Sequence, residues 1–207
     1  MILRASGSTA ILAEYEDLQE VLGHYASLSE DPPTGVVDLV PAARTILVVV
    51  DPARRPLEEV AKEVQAVRPR AHRATARDEV EVPVSYDGED LADVAALLGC
   101  DTAEVVRRHT SQVWTVAFCG FAPGFGYLVS EQGKWDVPRR KSPRTKVPAG
   151  SVGLAGEFTG VYPRESPGGW QLIGSTTIPM FDPHREEPAV LRPGRRVRFV
   201  DVGSPHD

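Results

Sequence analysis

Hydrophobic positions recur along the chain with a changing period, and each change marks a predicted element. Ile2, Leu3, Ile11 and Leu12 flank Gly7-Ser8 and predict a hairpin over residues 2–15. Leu18, Val21, Leu22 and Tyr25 follow at helical spacing behind Asp17, a candidate N-cap, and Asp31-Pro32-Pro33 breaks that helix. Val36 to Val40 and Thr45 to Val50 read as strands. The unbroken apolar run in the second predicts burial on both faces. Leu57, Val60, Val64 and Val67 predict a further helix from Pro56 to Val67, closed by Arg68-Pro69.

The pattern restarts at Val80 to Tyr86, which alternates as a strand does. Two helices are predicted next. Asp90 to Leu98 carries Leu91, Val94 and Leu98, with Gly99 as its C-cap. Asp101 and Glu104 have capping-box spacing and open a second helix that runs to Thr110, with His109 in its last turn. Gln112 to Cys119 reads as a strand, and Arg195 to Val202 as another, with Val197 and Phe199 on one face. Between them, from Phe118 to Met180, Gly and Pro recur every few residues among aromatics and cations. No helix tolerates that density of breakers, so short strands and tight turns are expected. The predicted fold class is α+β: a small N-terminal α+β domain, residues 1–78, followed by a barrel-like β domain, residues 79–207. Arg68, Arg70, His72, Arg73 and Arg77 form a basic segment that reads as a solvated linker.

Composition narrows the function. The 207 residues carry a net charge of −6 and a pI of about 5.4. Neither nucleic acid nor an anionic membrane surface is an expected partner. No apolar run approaches the roughly 20 residues of a membrane span, and Met1 to Ser6 lacks the pattern of a signal peptide. Cys100 and Cys119 give no disulfide framework, so a cytoplasmic location with reduced thiols is expected. No zinc-type Cys/His spacing occurs, and no metal site is assigned. The glycine-rich stretches match neither a P-loop nor a dinucleotide fingerprint.

Several motifs in fixed order carry a resemblance. They are Gly120 to Phe125 (GFAPGF), Pro138-Arg139, Ser142 to Arg144, Pro148 to Gly153 (PAGSVG), Thr159 to Pro163 (TGVYP) and Pro167 to Gly174 (PGGWQLIG). The chain resembles the 5-oxoprolinase B-subunit family, also called allophanate hydrolase subunit 1 or carboxyltransferase subdomain C/D, which includes a sporulation-kinase inhibitor. The resemblance implies a cyclophilin-like β-barrel after the N-terminal domain. It also implies a role as one component of an ATP-dependent 5-oxoprolinase, inactive alone. That assembly hydrolyses 5-oxo-L-proline to L-glutamate with a companion C subunit and a third component. ATP is then a cofactor of the complex. Two alternatives stand beside it: a non-catalytic inhibitor of a sensor histidine kinase, and a carboxyltransferase component of a urea carboxylase/allophanate hydrolase system.

Candidate site residues come from the same stretch. Arg139, Arg140, Lys141, Arg144 and Lys146 concentrate positive charge in an acidic chain, and the Arg fork suits a carboxylate or phosphate. Arg139 and Arg144 lie in the family motifs and rank first, with Arg144 as a catalytic candidate and Arg139 and Lys141 as substrate-binding candidates. His109, at a helix C-terminus that favours its protonated form, is a candidate acid/base or a structural capping group. Pro123 and Gly124 are candidate ligand-lining loop residues, whereas Phe121 reads as a core aromatic. Gly150 and Ser151 present a turn that could meet a substrate carbonyl, with no base paired to the Ser151 hydroxyl. Trp170 either stacks on a ring ligand or packs the barrel.

Overall fold

The computed structural model describes residues 1–70, 79–130, 132 and 135–203. The chain divides into two compact units, Met1–Arg73 and Ala74–Asp207. The boundary expected at residue 78 and the basic positions His72, Arg73 and Arg77 lie outside the described residues.

In the first unit the strands β1 (Ile2–Ser6), β2 (Ala10–Glu14), β3 (Val36–Pro41) and β4 (Thr45–Val50) form an antiparallel sheet in the order β1-β2-β4-β3. Helix α1 (Leu18–Glu30) starts where Asp17 accepts the Glu20 N–H at 2.9 Å, and α2 (Leu57–Ala66) buries Val60 and Val64. The expectation for β4 is corrected. Ile46, Val48 and Val50 are buried, but Thr45, Leu47 and Val49 are only half-buried, so one face carries the core. Arg70 pairs with Glu30 while both side chains stay exposed, as a solvated face requires.

The second unit holds α3 (Leu91–Leu98), α4 (Thr102–Thr110) and a sheet of seven strands. These are β5 (Glu79–Val84), β6 (Trp114–Cys119), β7 (Gly126–Ser130), β9 (Ser151–Ala155), β10 (Phe158–Val161), β12 (Gln171–Ser175) and β13 (Arg196–Asp201), in the order β12-β9-β10-β7-β6-β13-β5. A separate pair, β8 (Arg144–Val147) and β11 (Ser166–Gly168), lies outside that sheet. The sheet nearly closes into a barrel. Beyond β5, Ser85 exchanges backbone hydrogen bonds of 2.9 and 2.8 Å with Ser175 at the end of β12. Asp90 continues the seam. Its N–H donates to the Leu172 carbonyl at 2.9 Å, and its carboxylate accepts the Leu172 N–H at 2.7 Å, as a strand carbonyl would. The fold is thus α+β, with a barrel following the N-terminal unit.

Gly99 takes the left-handed conformation expected of a C-cap. Only half of the predicted capping box forms at α4. Asp101 accepts the Glu104 N–H at 2.7 Å, but the Glu104 carboxylate turns to Arg107 and Arg108.

Inside the barrel, Val82, Val84, Trp114, Val116, Leu128, Leu154, Ile173 and Phe199 make the core, and His109 sits among them with no exposure to solvent. Its Nδ1 meets the Tyr86 hydroxyl at 2.7 Å and its Nε2 meets Thr159 Oγ1 at 2.9 Å. The ring packs on Phe199, with centroids 4.4 Å apart, and on Trp114 at 5.0 Å. Burial outweighs the helix dipole and pushes its pKa down to about 3, so His109 is neutral and structural. The acid/base alternative is set aside, because both ring nitrogens are occupied and the ring is sealed in the core.

A histidine held neutral makes the fold acid-sensitive. Below its ordinary value of 6.5 the unfolded chain takes up a proton that the folded chain refuses until about pH 3. Stability therefore falls as pH drops through that window. Between pH 7 and 5 this group alone is expected to remove about 2 kcal/mol. Chemical denaturation of the parent and His109→Gln at both pH values checks this: the variant should show a loss smaller by about that amount.

Candidate functional site

The stretch after β6 turns sharply. The Gly120 N–H donates to the Phe125 carbonyl at 3.2 Å, and the Phe125 N–H to the Ala122 carbonyl at 3.0 Å. Phe125 is thereby driven inward, where Tyr162 and Trp170 meet its ring edge-on, each at 5.3 Å. Across from this turn the segment from Val137 to Arg140 is pinned repeatedly. Val137 bridges Gly156, the Gln171 amide donates to the Pro138 carbonyl at 3.1 Å, and the Arg140 N–H donates to the Gly169 carbonyl at 2.8 Å. The prolines that forbid a helix here leave the segment extended, and these bonds hold it against the barrel.

Two adjoining cavities open between the turn and the pinned segment. One, of about 310 Å³, is walled by Phe121, Phe125, Tyr127, Tyr162, Trp170, Arg139, Arg140 and the Pro167–Gly169 backbone. The other, of about 380 Å³, is walled by Tyr127, Phe158, Trp170, Pro138 and Arg139. Tyr127, Trp170 and Arg139 belong to both. These are mostly aromatic walls with one cation at the junction, the composition of a small-molecule pocket. Burial raises the pKa of both Tyr127 and Tyr162, with the Arg139 charge acting against it, so both phenols stay protonated at neutral pH.

The cations of this region divide sharply. Asp90, 1% exposed, receives Arg144 bidentately at 2.8 and 2.9 Å and also pairs with Arg140. Arg144 reaches Glu89 as well, at 3.0 Å. Burial opposes the Asp90 charge, but hydrogen bonds from Arg144 and the Leu172 N–H, with both guanidinium charges, outweigh it and hold the carboxyl below its usual range. Lys146 pairs with Glu165 on the surface at 3.2 Å. Arg139 has neither hydrogen bond nor ion pair among the described residues, and it faces both cavities.

The sequence-predicted positions therefore separate. Arg139 and Trp170 meet in the cavities. Arg144, 16% exposed, is spent on Asp90 and lines neither, which argues against its catalytic assignment. Lys141 is exposed and away from both walls. Pro123 is exposed on the turn, and Gly124, at φ +83°, packs on Met180 and Phe181 instead of a ligand. Gly150, at φ +82°, lies so close to the Thr176 carbonyl that a β-carbon would stand 2.1 Å from its oxygen. Ser151 is buried at the start of β9. Both serve the turn, not the cavity. Sequence reasoning misses Phe121, expected in the core but 58% exposed at the cavity, and Asp90, which sits where an N-cap should but caps nothing. A signal for Tyr127 exists in the sequence: it follows GFAPGFG directly.

The family described as carboxyltransferase domain, subdomain C and D, matches residues 1–191. The chain belongs to this family. The 5-oxoprolinase B subunit of Escherichia coli O157:H7 is 41% identical over 209 residues, covering 94% of this chain and 93% of that protein. The solved structure of TTHA0988 is 35% identical with a TM-score of 0.76, and the match covers 96% of this chain but only 40% of that one. The Kluyveromyces lactis urea amidolyase is 19% identical at a TM-score of 0.77, over 97% of this chain and 15% of that one, a likeness of fold alone. No helix among the described residues is long and apolar enough to cross a membrane.

The Asp90 cluster should be the more costly one to break. Asp90→Asn strands two guanidinium groups beside a buried amide and is expected to cost about 3–5 kcal/mol in urea denaturation. Glu165→Gln breaks an exposed pair and should cost less than about 1 kcal/mol. The Asp90 contribution is present above the unfolded carboxylate pKa and is lost as pH falls through its lowered folded value.

Proposed function

We propose that this chain is the substrate-binding component of an ATP-dependent 5-oxoprolinase, working with a companion C subunit and a third component in the hydrolysis of 5-oxo-L-proline to L-glutamate. The observation that carries the reading is Arg139, a guanidinium without a partner among the described residues, at the junction of two aromatic-walled cavities, while its neighbours Arg140 and Arg144 are both paired with Asp90. A small carboxylate completes the charge that the protein leaves open, and the guanidinium fork matches it bidentately. The aromatic walls suit a compact, weakly polar ring. Similarity to a protein named as the B subunit of 5-oxoprolinase supports the same assignment.

The cavities do not fit a nucleotide. One unpaired guanidinium is too little positive charge for a triphosphate, so ATP is assigned to another part of the assembly. What this chain does is bind the carboxylate, orient the lactam ring and limit the water that reaches it.

The test is steady-state kinetics on the reconstituted complex. Arg139→Gln removes a charged hydrogen-bond partner and is expected to raise the KM for 5-oxo-L-proline roughly ten- to a hundredfold, corresponding to about 1.5–3 kcal/mol. Lys141→Gln should leave KM unchanged. An Arg139→Gln complex with the parental KM would refute the assignment of this cavity.

A further inference from the structure

Phe121 is the sole non-glycine residue with positive φ among the described residues, at φ 69°. It is the centre of a γ-turn closed by the Ala122 N–H donating to the Gly120 carbonyl at 2.8 Å. Such a turn is rare and strained, and a β-carbon there is unfavourable where glycine would be comfortable. Packing does not account for the choice, because the side chain is 58% exposed. An aromatic in a strained backbone with more than half of its surface in water gains the folded state little. Outliers of this kind cluster at ligand clamps.

The ring does have a place. It lies edge-on to Phe125, with centroids 5.3 Å apart at 72°, and to Tyr162 at 6.2 Å and 84°, and it forms part of the 310 Å³ cavity wall. Phe121, Tyr162 and Arg139 line the same cavity. We propose that Phe121 is a specificity-determining residue that packs on the ring of a small cyclic carboxylate whose carboxylate is held by Arg139; this rests on the reading of the cavity given above. A flat lactam ring offers an apolar face to Phe121. Once the ring is opened, the product is an extended chain carrying two carboxylates and an ammonium, with no such face. The contact therefore favours ring-closed substrate over open-chain product, and the γ-turn fixes the aromatic before the ligand arrives, which avoids an ordering cost on binding.

The experiment pairs stability with binding. Phe121→Gly and Phe121→Tyr are compared with the parent by thermal unfolding of the chain, and by calorimetric titration of the reconstituted complex with 5-oxo-L-proline and with L-glutamate. Phe121→Gly relieves the backbone and should raise Tm by about 2 °C. It should also weaken 5-oxo-L-proline about tenfold while changing L-glutamate less than about twofold. Phe121→Tyr keeps the ring and should bind as the parent does. A Phe121→Gly variant that loses stability, or that binds 5-oxo-L-proline like the parent, overturns the proposal. If Arg139→Gln weakens binding and Phe121→Gly does not, the role of Phe121 fails and the cavity assignment stands. If neither does, or if the parent complex binds no 5-oxo-L-proline, both fail.

Discussion

The Asp90 carboxylate lies out of water and is satisfied from three directions: the Leu172 N–H, Arg140 and Arg144. A buried charge is tolerated only when it is paired and hydrogen-bonded, so none of these partners is optional. The Leu172 bond extends the seam at which the sheet closes on itself. The guanidinium bonds tie the segment bearing Arg140 and the strand β8 to the start of α3. One side chain thereby fixes the barrel seam, a helix start and the cation-bearing segment at once.

That constraint also sorts the charge. With Arg140 and Arg144 both paired to Asp90, Arg139 is the cavity-wall cation that carries no ion pair among the described residues. The protein thus presents a single unpaired guanidinium in a setting of phenol, indole and phenyl rings. Arg139 is itself exposed, so an anion that reaches either cavity meets its charge directly. The same loop contains cations that build the structure and a cation that is free to act, one residue apart.

Local signals are legible in the sequence because they depend on neighbours. The Asp17 and Asp101 caps, the Gly99 terminus and the period-two faces of the strands all concern residues within a few positions of each other. The cavity depends on pairings that sequence does not display. Arg144 reads as the strongest anion ligand of its motif, yet its partner Asp90 is 54 residues away and reads only as a helix start. His109 reads as either an acid/base or a capping group at a helix terminus, but the barrel wraps around that terminus and its Nε2 finds Thr159, 50 residues on. Phe121 reads as core because it is an aromatic between glycine and alanine, and nothing in its spacing announces a left-handed backbone. Arg139 and Trp170 are legible as chemistry, though not as the pair that shares both cavities.

The strand order has a consequence for synthesis. β5 opens the barrel unit, and its ladder partner is β13, in parallel register from Arg196↔Glu79 to Asp201↔Val84. While the chain leaves the ribosome, β5 has no neighbour to zip against until the last barrel strand emerges. The first sheet, whose strands lie within residues 2–50, faces no such delay. Parallel closure across so long a separation is slow by nature. Nascent chains would therefore carry a finished N-terminal sheet while the barrel is unclosed, and the β5 backbone stays open to chaperones until β13 has emerged.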